Sequence, residues 1–111
     1  MKQSTILAAM LALIWMSPAA PAQQADAKAG QASYTKACGA CHAPDGAPKE
    51  AIAKMLKVEM KHLGAKEVQA KTDTELRKDI LEGIGKMKGV KNLNDTQVGD
   101  VIAYVRTLAQ K

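Results

Sequence analysis

Cys38, Cys41 and His42 are the residues of this chain whose types and spacing most clearly predict chemistry, and they stand together in the segment CGACH. Two cysteines three residues apart lie about one helical turn from each other, so both thiols can reach the two vinyl groups on one edge of a porphyrin. The histidine that follows directly then faces the metal at the centre of the ring. The spacing therefore predicts one covalently attached haem c, with His42 as the proximal iron ligand.

Three other roles for a cysteine pair fit the sequence less well. A thioredoxin-like redox pair would need a preceding strand and a βαβ unit, and the sequence predicts neither. A structural zinc site would need more cysteine or histidine ligands, whereas His62 is the one further histidine in the chain. A disulfide would explain neither the adjacent His42 nor how so small a core is filled.

The first 22 residues have the pattern of a secretory signal peptide. Lys2 supplies the charged start, an apolar run covers 6–16, and small residues surround Ala22, after which we expect cleavage. The apolar run is much shorter than the roughly 20 residues that span a bilayer as a helix, so we expect no membrane anchor. Export places the cysteines in an oxidising compartment, where thioether bonds to haem would cap them.

Composition indicates one small domain over 23–111, whose own side chains supply too little apolar mass for a stable core. This segment contains no Phe and no Trp, because Trp15 belongs to the predicted signal, so Tyr34 and Tyr104 supply all of its aromatic mass. Domains of this size usually need a staple, and a covalently bound macrocycle would serve as both staple and core.

The charge pattern argues against a nucleic-acid partner. The chain has a formal net charge of +5, but its basic residues are dispersed and its aromatic residues are few. Export also points away from the genome. A mildly basic, solvated surface that meets acidic protein partners fits the sequence better.

The two ends of the predicted domain are helical. Residues 26–37 contain no proline and run directly into CGACH, with Gly30 and Tyr34 on one face. A glycine inside a helix costs roughly 1 kcal/mol relative to alanine, so Gly30 indicates close approach of another backbone. The last helix begins at a capping pattern in 94–97 and extends to about residue 110, with one continuous apolar face.

The middle of the chain is less regular. Residues 49–63 carry apolar side chains at three- and four-residue steps, which indicates an amphipathic stretch whose helical extent the pattern leaves open. A second short turn is expected over 65–70. A capping box that begins at Thr72 predicts a helix over 73–82, with Gly83 as its terminator. No segment is predicted to be a strand.

Two loops are expected to serve the haem. The loop after His42 contains Pro44 and Pro48, and either could offer a backbone carbonyl to the second nitrogen of a ligating imidazole. The loop 83–91 is rich in glycine and lysine and carries Met87 in its middle. Because flexible glycines are a poor anchor for core packing, Met87 is singled out as more than a gap-filling side chain.

The predicted domain resembles the small class I c-type cytochromes, which are bacterial monohaem electron carriers of the periplasm. The resemblance is carried by the order of Gly30 and Tyr34 before CGACH, the segment GKM that ends at Met87, and the segment VIAYV at 101–105. It implies an all-α cytochrome c fold of three to five helices wrapped around one covalently bound haem. The N- and C-terminal helices would cross, so that Gly30 and Tyr34 meet Val101 and Tyr104.

The resemblance also implies a set of site residues. Cys38 and Cys41 would form the thioethers, and His42 would be the proximal ligand. Met87 matches the family's sixth ligand, a methionine in the loop before the last helix. Met60 and His62 are alternatives for that position, because their amphipathic stretch could pass the distal side.

The sequence departs from the family at two points. Lys88 stands where relatives usually carry proline after the ligand methionine, which would leave the loop looser and the iron–sulfur bond weaker. The family's propionate-binding tryptophan has no counterpart, and Lys86 or Lys91 is the substitute we consider for it.

The resulting hypothesis is a soluble, monomeric periplasmic electron carrier that is not an enzyme and cycles between Fe(III) and Fe(II). The alternative is a haem-based sensor or gas-binding cytochrome with a labile sixth ligand, which Lys88 favours. A peroxidase would need a distal acid–base residue and usually a second haem. We expect redox partner proteins with an acidic docking surface, which meet a ring of lysines around the haem edge. That ring consists of Lys86, Lys88 and Lys91, extended by Lys54, Lys57 and Lys61 if their stretch is helical.

Overall fold

A computed structural model describes residues 24–111, and the predicted signal peptide lies outside the described residues. Five helices follow one another: α1 (Ala27–Ala37), α2 (Glu50–Leu56), α3 (Lys66–Gln69), α4 (Asp73–Glu82) and α5 (Asp95–Thr107). A short antiparallel hairpin of β1 (Gly83–Ile84) and β2 (Met87–Lys88) separates α4 from α5. The predicted all-α class is confirmed, although the expectation of no strand is wrong for these four residues.

Helices α1 and α5 cross at Gly30, as predicted. A methyl group on Gly30 would lie 1.9 Å from the carbonyl oxygen of Asp100, so only hydrogen fits there. Next to this contact, the rings of Tyr34 and Tyr104 pack edge to face with their centroids 5.0 Å apart. Both rings join Val101 in one buried cluster, which confirms the predicted partners.

Side-chain caps begin the long helices where the sequence predicts them. Thr72 and Asn94 each form a complete capping box, and these boxes start α4 and α5. The Asp26 carboxylate accepts the N–H groups of the first turn of α1. The N–H of Asp26 in turn donates to the Asp100 carboxylate at 2.8 Å, which ties the start of α1 to the middle of α5.

A second buried cluster joins α4 to α5. Leu76 of α4 packs there with Val98 and Ile102 of α5. Towards the end of α5, the Arg106 guanidinium donates to the backbone carbonyls of Gln69 and Lys71 and to the carboxylate of Asp73. One arginine therefore holds the α3–α4 connection against the last helix.

One element is shorter than the sequence predicts, and another had been left open. The amphipathic stretch 49–63, whose helical extent the sequence left open, is helical only over α2, and the C-cap Lys57 lies in the left-handed region with φ 55° and ψ 47°. Helix α5 ends at Thr107 because the backbone N–H of Gln110 turns away to donate to the carbonyl of Gly64 at 2.8 Å.

Within residues 24–111, the helices are all too short or too polar to cross a membrane.

Candidate functional site

The CGACH segment forms a tight turn directly after α1. The backbone N–H groups of Cys41 and His42 both donate to the carbonyl of Cys38, at 3.2 and 2.9 Å. This turn brings the three chemically active residues together, as their spacing predicts. The chain then doubles back, and His42 pairs with Pro48 in an isolated antiparallel bridge. In such a bridge the two side chains lie on the same side, so Pro48 flanks the imidazole.

The His42 imidazole is half-buried and incompletely paired. Its Nδ1 atom is fully buried and has no hydrogen-bond partner among the described residues. Burial lowers the pKa of His42, which favours the neutral ring that can ligate a metal. A buried polar nitrogen without a partner is costly, so this environment fits an imidazole that completes its bonding with a group outside the polypeptide.

The carbonyls that follow His42 are taken by other donors. The Tyr34 hydroxyl donates to the carbonyl of Ala43, and the Tyr104 hydroxyl donates to that of Pro44. Within residues 24–111, neither Pro44 nor Pro48 accepts a hydrogen bond from His42. The expected hydrogen bond from the imidazole to one of these two carbonyls is therefore absent among the described residues. Sequence reasoning used the two tyrosines only as aromatic packing and missed these bonds.

Cys38 and Cys41 are free, half-buried thiols in this turn. Burial, with a smaller contribution from Cys41, raises the pKa of Cys38 to about 11, so its thiol is protonated at neutral pH. Cys38 also packs against the cluster that contains Tyr34. The crossing of the terminal helices therefore supports the site of the predicted thioether.

Met87 lies on the hairpin, at the far end of α4 in the chain. It is half-buried, and its cross-strand partner Ile84 is 50% exposed. Gly85 begins the two-residue turn with φ 56°, a conformation that L side chains rarely adopt. None of the hydrogen bonds of the loop 83–91 reaches the CGACH turn within the part of the chain that the structure describes.

The base of this loop is instead clamped to the end of α4. The N–H of Val90 donates to the carbonyl of Ile80 at 2.7 Å, and the Lys91 ammonium donates to the carbonyl of Leu81 at 3.0 Å. A methyl group on Gly89 would lie 2.3 Å from that same Leu81 oxygen. The backbone on the C-terminal side of Met87 is thus laid directly on the last turn of α4.

Comparison with known families decides what this arrangement is. The sequence model of the family described as cytochrome c matches residues 27–109. The chain belongs to the cytochrome c family. This cytochrome therefore binds one c-type haem through a CxxCH motif, which Cys38 and Cys41 fit. No significant match was found among curated proteins or among solved structures.

The residues present in this cytochrome fit a haem. Two free thiols and a neutral imidazole with an unpartnered nitrogen lie in one turn, which is the donor set that covalent attachment and iron ligation require. An open cleft of about 390 Å³ lies beside Pro48, the bridge partner of His42. Its lining is mixed, with apolar side chains such as Val58 and Met60 and four charged residues, Glu50, Lys54, Lys57 and Glu59.

The two alternative sixth ligands occupy different environments. Met60 lines the cleft beside Pro48. The Nδ1 atom of His62 already accepts a hydrogen bond from the N–H of Gly64 at 2.9 Å. The ring of His62 lies against Gly46, in the turn that follows His42. Met60 thus remains the stronger alternative to Met87.

The lysines do not form one uniform ring. Lys86 and Lys88 are exposed on the hairpin, whereas Lys91 uses its ammonium to bind the end of α4. Lys61 lies beyond α2 and approaches Glu67 at 3.8 Å, so helical spacing does not unite it with Lys54. The condition for extending the patch to Lys61, a helix that continues through it, is therefore not met.

Proposed function

We propose that this cytochrome is an exported single-haem electron carrier of the periplasm. Cys38 and Cys41 would hold the haem covalently, while His42 and Met87 would ligate its iron. The observation that carries the proposal is the neutral His42 imidazole, which has a buried, unpartnered nitrogen beside two free thiols. We infer cleavage near Ala22 and a monomeric protein without a membrane anchor.

The bound haem would supply a one-electron Fe(III)/Fe(II) couple. The chain's own residues would attach the haem covalently, ligate its iron with neutral side chains and hold it in place. The thioethers of Cys38 and Cys41 would prevent loss of the group during repeated reduction. The neutral thioether of Met87 would favour the ferrous state and raise the reduction potential. Because His42 and Met87 would both hold the iron, it would have no position left for a substrate.

The alternative is a sensor or gas-binding cytochrome in which the sixth ligand is easily displaced. Lys88, in the place of the family's usual proline, is the observation that favours it. The clamp at the base of the loop, through Gly89, Val90 and Lys91, favours the carrier because it restrains the backbone beside Met87 without a proline.

We further propose that the redox partners present an acidic docking surface. Lys86 and Lys88 are exposed on either side of Met87 in the chain, where they would border the haem edge. Exposed charges of one sign near the site of electron exit steer association more than they raise the final affinity.

The test uses the mature protein purified from a host that attaches c-type haem. We expect one haem per chain that survives acid–acetone extraction, and loss of the thioether at residue 38 in Cys38→Ala. Ferrous wild type should bind carbon monoxide slowly or weakly, because carbon monoxide would have to displace Met87 from the iron. Rapid, tight binding would favour the sensor, and a mature mass of apoprotein with a disulfide would overturn both hypotheses.

A further inference from the structure

Two buried hydroxyls converge on consecutive carbonyls immediately after the predicted proximal ligand. Tyr34 of α1 donates to the carbonyl of Ala43 at 2.7 Å, and Tyr104 of α5 donates to the carbonyl of Pro44 at 2.5 Å. The second bond joins residues that are 60 positions apart in the chain. Each terminal helix therefore contributes one hydrogen bond to the chain that leaves His42.

Packing does not explain these hydroxyls. The side chains of Tyr34 and Tyr104 are 1% and 8% exposed, and their rings already pack edge to face. Phenylalanine would keep this packing without any buried polar atom. Burial of a hydroxyl lowers the stability of the folded protein unless the hydroxyl is hydrogen-bonded. The role of each hydroxyl is therefore the bond that it makes to a carbonyl of the turn.

Besides the two tyrosine bonds, the turn 43–47 is attached at its far side by the N–H of Leu63, which donates to the carbonyl of Gly46 at 2.9 Å. Its internal bonds run from the N–H of Gly46 to the carbonyl of Ala43 and from the N–H of Ala43 to the carbonyl of Ala47. These bonds give the turn its shape but do not locate it against α1 and α5. The two tyrosine hydroxyls do, and the located backbone is continuous with His42.

We propose that Tyr34 and Tyr104 are positioning residues for His42, which transmit the crossing of α1 and α5 to the orientation of the imidazole. The inference rests on the proposed function, because it takes His42 as an iron ligand. Either hydroxyl alone restrains one carbonyl of the adjacent pair. Loss of both releases the two carbonyls next to His42, while the Gly46 carbonyl keeps its bond from Leu63. The effect of the double substitution on His42 should therefore exceed the sum of the single ones.

The test compares Tyr34→Phe, Tyr104→Phe and the double variant in the haem-loaded protein. The readouts are the reduction potential, the hyperfine-shifted NMR resonances of the His42 ring and haem methyl groups, and hydrogen exchange of the Gly46 amide. We expect all three variants to retain haem and helix content. The double variant should shift the His42 resonances and the potential, and its Gly46 amide should exchange at least tenfold faster than in wild type.

Matched controls remove a hydroxyl–carbonyl bond from the same helices away from the turn. The Thr35 hydroxyl in α1 donates to the backbone carbonyl of Gln31. The Thr107 hydroxyl at the end of α5 donates to the backbone carbonyl of Tyr104. Thr35→Val and Thr107→Val should leave the His42 resonances and the potential unchanged, even where the denaturation midpoint moves.

The outcomes separate this inference from the proposed function. A lower denaturation midpoint in the double variant, with unchanged resonances and potential, would overturn the positioning role and leave only a structural one. If wild type shows no hyperfine-shifted His42 resonances, His42 is not an iron ligand and the proposed function itself fails. Should the double variant not retain haem, Tyr104→Phe must still shift the His42 resonances relative to Thr107→Val, and its failure to do so would refute the inference.

Discussion

At the scale of single residues, the least replaceable positions are those at which backbone meets backbone. Gly30 lies under the Asp100 carbonyl, and Gly89 lies under the Leu81 carbonyl, so neither has room for a β-carbon. Gly99 of α5 differs, because a methyl group there would meet only the flexible Arg77 guanidinium at 3.5 Å. The same type of residue is therefore essential at two positions and dispensable at a third.

Gly30→Val should destabilise the protein through the helix crossing. A side chain forced against the Asp100 carbonyl must push the two helices apart, and overpacking of this kind typically costs about 1–3 kcal/mol. We expect a lower midpoint of chemical denaturation. Gly99→Ala is the control and should match or slightly exceed wild-type stability, since alanine is the better helix former. An unchanged midpoint in Gly30→Val would mean that the helices do not cross there in solution.

Met87→Ala should identify the sixth ligand by spectroscopy. Ferric haem with an axial thioether shows a weak red charge-transfer band, which we expect in wild type and in Met60→Ala but not in Met87→Ala. The two substitutions remove the same side chain, one from the hairpin and the other from the cleft beside Pro48. If Met60→Ala loses the band and Met87→Ala keeps it, the ligand assignment is reversed. Absence of the band in wild type would exclude methionine ligation altogether.

At the scale of elements, the loop 83–91 is built as a hairpin with a clamped base. Its turn is shaped by Gly85, and its return strand is fastened to α4 through Val90 and Lys91. This fastening acts on the C-terminal side of Met87, directly after Lys88. Hydrogen bonds to the end of α4 therefore restrain the backbone that follows Lys88.

Lys91→Met should weaken this clamp without adding bulk to the loop. The variant keeps a long side chain but loses the ammonium that donates to the Leu81 carbonyl. We expect faster hydrogen exchange at the Val90 amide and faster carbon monoxide binding to the ferrous protein than in wild type. Lys78→Met on the exposed side of α4 is the control and should change neither. Equal binding rates in all three proteins would show that the clamp does not restrain Met87.

At the scale of the whole molecule, the proposed docking of an acidic partner depends on where positive charge is exposed. The chain carries an excess of basic residues, and two exposed lysines flank Met87 on the hairpin. Lys61 and Lys71 have carboxylate partners, Lys71 with Asp79 at 2.6 Å. The hairpin lysines differ from the other exposed lysines in lying beside Met87, so we test whether their charge orients an acidic partner.

Replacement of Lys86 and Lys88 by Gln should slow electron transfer to an acidic redox partner at low salt. Exposed charges are screened over about 10 Å at 0.1 M ionic strength, so the wild-type rate should fall as salt rises and the variant should show a flatter dependence. Lys91 is left in place because its ammonium also fastens the loop. The control replaces Lys28 and Lys66, which are exposed on other helices, and removes the same charge. Equal low-salt rates for both double variants would mean that docking does not use the hairpin.

The sequence determined the features that depend on short separations along the chain. The spacing of Cys38, Cys41 and His42 needs only one local turn, and the two capping boxes each need only four residues. Gly30 by itself predicted the close approach of another backbone, and the resemblance to class I c-type cytochromes implied that Gly30 and Tyr34 meet Val101 and Tyr104 of α5. The haem assignment rests on the same local spacing.

Only the tertiary structure decided which polar groups meet across long separations. Asp26 reaches Asp100 over 74 positions and Tyr104 reaches Pro44 over 60, and no local pattern specifies either partner. The sequence also did not predict where α2 ends or that the loop 83–91 is hydrogen-bonded to the end of α4. A backbone donor pairs with whichever carbonyl the packed fold brings within reach, and residue type alone does not reveal that choice.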